Sequence, residues 1–166
     1  MENGRAKSGF WTRVIFVALA VGVTIILVGC PGSPAAGDEE EKAAKEFEPQ
    51  DNNSVIYIYR STMVAAIQMF RLYIDGSLIG DSKNGSFFRI VAKPGMHALE
   101  VTNMRNDKLG NVSINTDASK LYYIELQVGA NPISGIPKLV LTEEQKAKPK
   151  IKQCKLLKTG TTAMDK

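Results

Sequence analysis

Residues 69–80 read Met69-Phe70-Arg71-Leu72-Tyr73-Ile74-Asp75-Gly76-Ser77-Leu78-Ile79-Gly80, and they decide the fold class. Phe70, Leu72 and Ile74 alternate with Arg71, Tyr73 and Asp75, the period of a strand with one buried face. Asp75-Gly76 tolerates the positive φ angles of a tight hairpin, and Ser77–Gly80 is a short return strand. The same grammar continues outward. Asn84-Gly85 is the next turn, after which Phe88 and Ile90 share one face, with Phe87 and Arg89 on the other. Lys93-Pro94-Gly95 reverses the chain, because proline presets φ and glycine takes the left-handed position. His97, Leu99 and Val101 alternate with Ala98 and Glu100, Val112 and Ile114 mark a short strand, and Tyr122, Ile124, Leu126 and Val128 make the strongest period-two pattern. Upstream, Val55–Tyr59 is a continuous apolar run, which suits a strand covered on both faces. Pro137–Leu141 and Ile151–Leu157 are weaker strands; between them Thr142 caps one helical turn that Pro149 stops. Short runs divided by turn residues predict an all-β fold, a small antiparallel β-sandwich of about seven to nine short strands.

The amino terminus carries a different message. Arg5, Lys7 and Arg13 form a basic head, Val14–Val28 an apolar run, and Leu27-Val28-Gly29-Cys30 the close, the layout of a secretory signal. An uncleaved membrane anchor is the alternative, but at about 1.5 Å per residue Val14–Gly29 spans roughly 24 Å, short of a roughly 30 Å hydrocarbon core. A plain secretory signal is the other. The ending resembles the lipobox of bacterial lipoproteins, in which leucine stands three residues before an obligatory cysteine. The resemblance implies a diacylglyceryl group on the Cys30 thiol, cleavage between Gly29 and Cys30, and acylation of the new amino group. At about 0.8 kcal/mol per buried methylene, two or three chains anchor a protein almost permanently where one does not. Pro31 follows Cys30, and by resemblance to enterobacterial sorting, where Asp retains lipoproteins at the inner membrane, the destination is the outer membrane, facing the periplasm.

Residues 1–29 are therefore read as a helical signal peptide and 30–53 as the lipidated cysteine with a flexible tether. Residues 54–158 form the sandwich and 159–166 a disordered tail. The tether reading rests on Pro31-Gly32-Ser33-Pro34-Ala35-Ala36-Gly37 and the charged stretch Asp38–Glu48, where Glu41 and Lys45 are spaced to pair across a turn. Loss of the signal takes the net charge from +4 to +2 and removes Trp11, the sole tryptophan. That charge, without a basic stripe interleaved with aromatics, gives no reason to expect nucleic acid. With Cys30 committed to lipid, Cys154 has no partner in the chain; it is either a buried small hydrophobe or a free thiol able to pair between chains.

Six stretches together carry a family resemblance: Ile56-Tyr57-Ile58-Tyr59-Arg60, the hairpin Tyr73-Ile74-Asp75-Gly76-Ser77-Leu78-Ile79-Gly80, and Lys83-Asn84-Gly85-Ser86-Phe87-Phe88. The others are Pro94-Gly95-Met96-His97-Ala98-Leu99-Glu100-Val101, Leu121-Tyr122-Tyr123-Ile124 and Cys154-Lys155-Leu156. In this order, from Ser54 to Lys158, the chain resembles the bacterial DUF2846 domain and is similar to PEGA-type β-sandwich modules. The resemblance implies a small sandwich, a lipoprotein signal and an envelope location, and it brings no catalytic residues.

Single residues give little chemistry. His97 is the only histidine, so neither a paired-histidine metal site nor a triad with a second histidine is available. It reads as a half-buried ring bonded to backbone at the sandwich end, or as a ligand or proton-transfer group. Asp75 and Asp81 lack calcium-loop spacing and read as turn formers. Arg60 ends a strand, to pair with a carboxylate or line a groove. Gly76, Gly80, Gly85 and Gly95 punctuate separate hairpins and make no phosphate loop. Asn-x-Ser triplets at Asn52, Asn84 and Asn111 matter only in a eukaryotic secretory pathway. The lysines between Lys146 and Lys158 form a solvated edge or contact anionic headgroups. No cofactor, metal or catalytic residue is expected. The expected partners are the membrane, through lipid on Cys30, and an envelope protein or glycan, with Arg60, Asp75 and His97 as loop candidates. The alternatives are a structural or stress-related envelope lipoprotein without a specific ligand, and an envelope hydrolase built around His97.

Overall fold

Nine strands alternate along the chain with the turns read above, and they pair into two sheets in the computed structural model, which describes residues 32–61, 67–129 and 135–160. The strands are β1 (Ser54–Arg60), β2 (Phe70–Ile74), β3 (Ser77–Ser82), β4 (Ser86–Ala92), β5 (Gly95–Thr102), β6 (Lys108–Thr116), β7 (Leu121–Val128), β8 (Pro137–Thr142) and β9 (Lys155–Leu156). One sheet runs β3-β2-β5-β6 and is antiparallel throughout; the other runs β8-β7-β1-β4-β9. The sandwich is all-β, as expected, with one difference. β1 pairs β7 in parallel, Val55 opposite Leu121, and β4 pairs β9 in parallel. Asp75 and Gly76 have φ of 50° and 78°, which is what a two-residue hairpin needs.

The facing surfaces of the sheets bury Ile56, Ile58, Leu72, Phe88, Leu99, Val101, Ile124 and Leu126. Because side chains alternate across a strand, the other face of β1 presents Val55, Tyr57 and Tyr59. A second core covers them: Ala44, Phe47, Phe87, Tyr123, Ala147, Ile151, Cys154 and Leu156. All seven residues of β1 are buried, so its continuous apolar run reports two cores on opposite faces. Two helices roof the second core, α1 (Asp38–Ala44) and α2 (Glu144–Lys152). Among the described residues no helix is long and apolar enough to cross a membrane.

The flexible tether expected over 30–53 is corrected from Gly32 onward. Ala35 bridges Leu157, the Ala36 N–H donates to Leu156 O at 2.9 Å, and α1 follows. Glu41 accepts from Lys45 Nζ at 2.7 Å and from the Leu156 N–H at 3.1 Å. Burial alone would raise its carboxyl, but these donors and the charge of Lys155 hold it below the usual carboxylate range. Phe47 buries its ring against Tyr57 and Tyr123, with centroids 5.3 and 6.3 Å away, in a backbone at φ 57°. A non-glycine residue there costs roughly 1–2 kcal/mol, which the buried ring offsets.

The carboxyl-terminal reading changes too. The Ile151–Leu157 strand shrinks to Lys155–Leu156, and Pro149 lies inside α2 instead of stopping it. Ala147 and Ile151, one turn apart, are both fully buried, and that packing outweighs the lost backbone bond at proline. Thr142 does not cap: its hydroxyl donates to Val140 O at 3.1 Å.

Candidate functional site

The two ends of the sandwich differ in chemistry. At one end β2 runs out at Asp75 and β5 begins, and antiparallel register sets Ile74 against Leu99. His97 is thereby carried to the hairpin: its Nδ1 lies 2.7 Å from Asp75 Oδ2 and its Nε2 2.7 Å from Lys93 O. The other carboxylate oxygen of Asp75 accepts the Ala98 N–H at 2.8 Å, and the Asp75 N–H donates to Ala98 O at 2.8 Å. Both acceptors are satisfied together only when both ring nitrogens carry a proton. The pair ties the β2–β3 turn to the β4–β5 turn, and the carboxylate and ring spend their polar atoms on each other and on backbone. Asp81 is committed elsewhere, to Arg71 Nε at 2.9 Å. Among the described residues no group of three or more acidic, histidine or cysteine side chains is placed to hold a metal ion.

At the opposite end lies Arg60. It is fully buried, with Nη1 donating to Gln68 O at 2.6 Å and the guanidinium 5.1 Å from the centre of the Phe70 ring. Burial pushes its pKa below the ordinary value. Above it opens a groove of about 420 Å³, lined by Gln68, Met69, Phe70, Met104, Leu109 and Ile136 among others. Two of its apolar residues are exposed, Ile136 at 64% and Met104 at 37%, and Asn103 and Arg105 stand beside them. Arg60 thus does not line the groove itself but braces two residues that do, Gln68 and Phe70, and neither Asp75 nor His97 joins it.

Sequence reasoning missed Glu125. It faces the outer core of the five-stranded sheet, buried, and accepts from Lys150 Nζ at 2.6 Å, Gln127 Nε2 at 3.0 Å and Ser61 Oγ at 3.1 Å. Burial works against the charge, yet the three donors hold the carboxyl below its usual range. The only signal was an acidic residue inside the strongest apolar alternation. Four of the carboxyl-terminal lysines are likewise paired: Lys146 with Glu143, Lys148 with Glu144, Lys150 with Glu125 and Lys155 with Glu41. The run is largely neutralised, which weakens its reading as a headgroup-binding patch. Cys154 is free and buried, its thiol pushed up to about 11 by burial, which suits the small-hydrophobe reading. Gly29 and Cys30 lie outside the described residues.

A family model described as a protein of unknown function, DUF2846, matches residues 50–135. The chain belongs to the DUF2846 family. The matched segment takes in β1 to β7 and both turns of the Asp75–His97 pair, while β8, α2 and β9 follow it and α1 precedes it. An uncharacterized protein of Haemophilus influenzae (strain Rd) is 29% identical over 147 residues, covering 87% of this DUF2846 chain and 86% of the relative. Similarity to that relative therefore extends past the matched segment.

Proposed function

We propose that the protein is a lipid-anchored component of the bacterial cell envelope, and that its sandwich is a non-catalytic interaction module facing the periplasm. The observation that carries this is Leu27-Val28-Gly29-Cys30 at the end of a basic-then-apolar leader. Pro31 in place of Asp after the cysteine favours the outer membrane. The non-catalytic part is supported by how the polar groups are spent. Both ring nitrogens of His97 and both carboxylate oxygens of Asp75 are engaged by internal partners, and buried Glu125 is held by three internal donors. The exposed apolar groove is binding chemistry instead.

Mass spectrometry of the protein from its native membrane tests the anchor. The expected amino terminus is Cys30 bearing fatty chains; a chain that still begins at Met1, or an unmodified Cys30, refutes it. Crosslinking in intact cells tests the module, with one recurrent envelope neighbour expected and a crosslinking pattern without any neighbour counting against it.

A further inference from the structure

We propose that the apolar end of the sandwich, around Met69, Met104 and Ile136, seats on the bilayer leaflet that holds the acyl chains of Cys30. The inference rests on the lipid anchor just proposed and adds an orientation to it. Two peptide links separate Cys30 from Gly32, so their Cα atoms are at most about 7.6 Å apart. From Gly32 onward there is no slack. A Cβ on Gly32 would fall 2.3 Å from Lys83 Cε and 3.3 Å from Met69 Sδ, so the backbone lies against both. Ser33 Oγ accepts the Asp81 N–H at 2.8 Å, and Pro34 O accepts the Lys158 N–H at 2.9 Å. Gly80 makes room for this: at φ 153°, any Cβ there would sit 2.3 Å from Ser33 Oγ.

A headgroup layer is about 5–8 Å deep on each side of the hydrocarbon. Acyl chains in that hydrocarbon therefore hold Gly32 and its neighbours at headgroup depth. Met69 lies beside Gly32 and also lines the groove, so the segment that enters the sandwich from the anchor does so at the groove's end. That end combines exposed Met104 and Ile136 with two cations, Lys83 beside Gly32 and Arg105 on the groove wall. Apolar side chains flanked by cations suit the boundary between phosphate groups and acyl chains. Anchoring also presents this end to the leaflet at a local concentration no soluble partner matches. The Asp75–His97 turns, at the far end of the strands, then point into the periplasm.

The test uses the lipidated full chain with one environment-sensitive fluorophore, on Ile136→Cys or, at the other end, on Met96→Cys; Cys154 is buried and escapes labelling. Both are placed on vesicles of phosphatidylethanolamine and phosphatidylglycerol containing brominated acyl chains. The label at 136 is expected to be quenched about twofold or more relative to that at 96, because only it reaches the acyl boundary. Met104→Cys, labelled in the same way, repeats the measurement should the first variant fold poorly. Equal quenching at both ends on vesicle-bound protein overturns the seating and leaves the anchor standing. Shielding at 136 that grows with protein concentration at fixed lipid assigns the groove to a second copy and also overturns it. A chain that leaves the vesicles and retains Met1 overturns the anchor itself.

Discussion

Phe47 separates a docked amino-terminal segment from a flexible one. Its ring is 6% exposed, packs on Tyr57 and Tyr123, and has Lys148 Nζ 5.0 Å from its centre. Removing a ring so buried costs about 3–5 kcal/mol, so Phe47→Ala is expected to lower stability by about 3 kcal/mol or more. Backbone conformation adds a second, sharper expectation. At φ 57° alanine keeps the left-handed strain and glycine does not, so Phe47→Gly should exceed Phe47→Ala by about 1 kcal/mol. Elsewhere in a folded chain glycine is usually the less stable of the two by about 0.5–1 kcal/mol. Equilibrium urea unfolding followed by far-ultraviolet circular dichroism measures both differences. A loss below about 1 kcal/mol for Phe47→Ala would return residues 32–53 to a tether, since an exposed site costs only about 0.5 kcal/mol. Alanine outranking glycine would refute the strained backbone.

Two tyrosines of one stack should respond in opposite ways. Tyr57 donates to Ala44 O at 2.8 Å in the interior, so Tyr57→Phe is expected to cost about 1–2 kcal/mol. The Tyr123 hydroxyl is buried without a partner among the described residues, and Tyr123→Phe should be neutral or stabilising by the same urea measurement. Glu125 governs part of the acid limb. Its folded carboxyl titrates below its unfolded value near 4.5, so its contribution is complete above that value and is lost as pH falls through the lower, folded one. Melting temperatures of the native protein should therefore fall more steeply below pH of about 4.5 than those of Glu125→Gln. Parallel curves would remove Glu125 from the account.

Local turn chemistry made the hairpins legible. Asp75-Gly76 and Pro94-Gly95 act within a few residues, and the strands beside them need only an alternating pattern. Pairing partners are another matter. Period two says that Tyr122, Ile124 and Leu126 share a face, and nothing in it says that β7 will lie parallel to β1. Residues 38–47 misled because their charges dominate, while the information sat in two side chains, Ala44 and Phe47. Pro149 misled because a local penalty was weighed without the burial of Ala147 and Ile151 that opposes it. At the site, Asp75 was visible as a turn residue and His97 as a half-buried strand residue beside the Pro94-Gly95 turn. Their meeting depends on the register of β2 against β5, a property of the sheet and absent from either motif.

The parallel neighbour of β1 has a temporal consequence. Val55 cannot close its ladder until Leu121 has emerged, and β4 waits longer still, for Lys155. Contacts this remote raise the contact order, and such topologies collapse late and slowly, in milliseconds to seconds where local helical folds take microseconds. The centre of the larger sheet is thus closed when β7 arrives, while β4 keeps an open edge in the nascent chain until β9 follows.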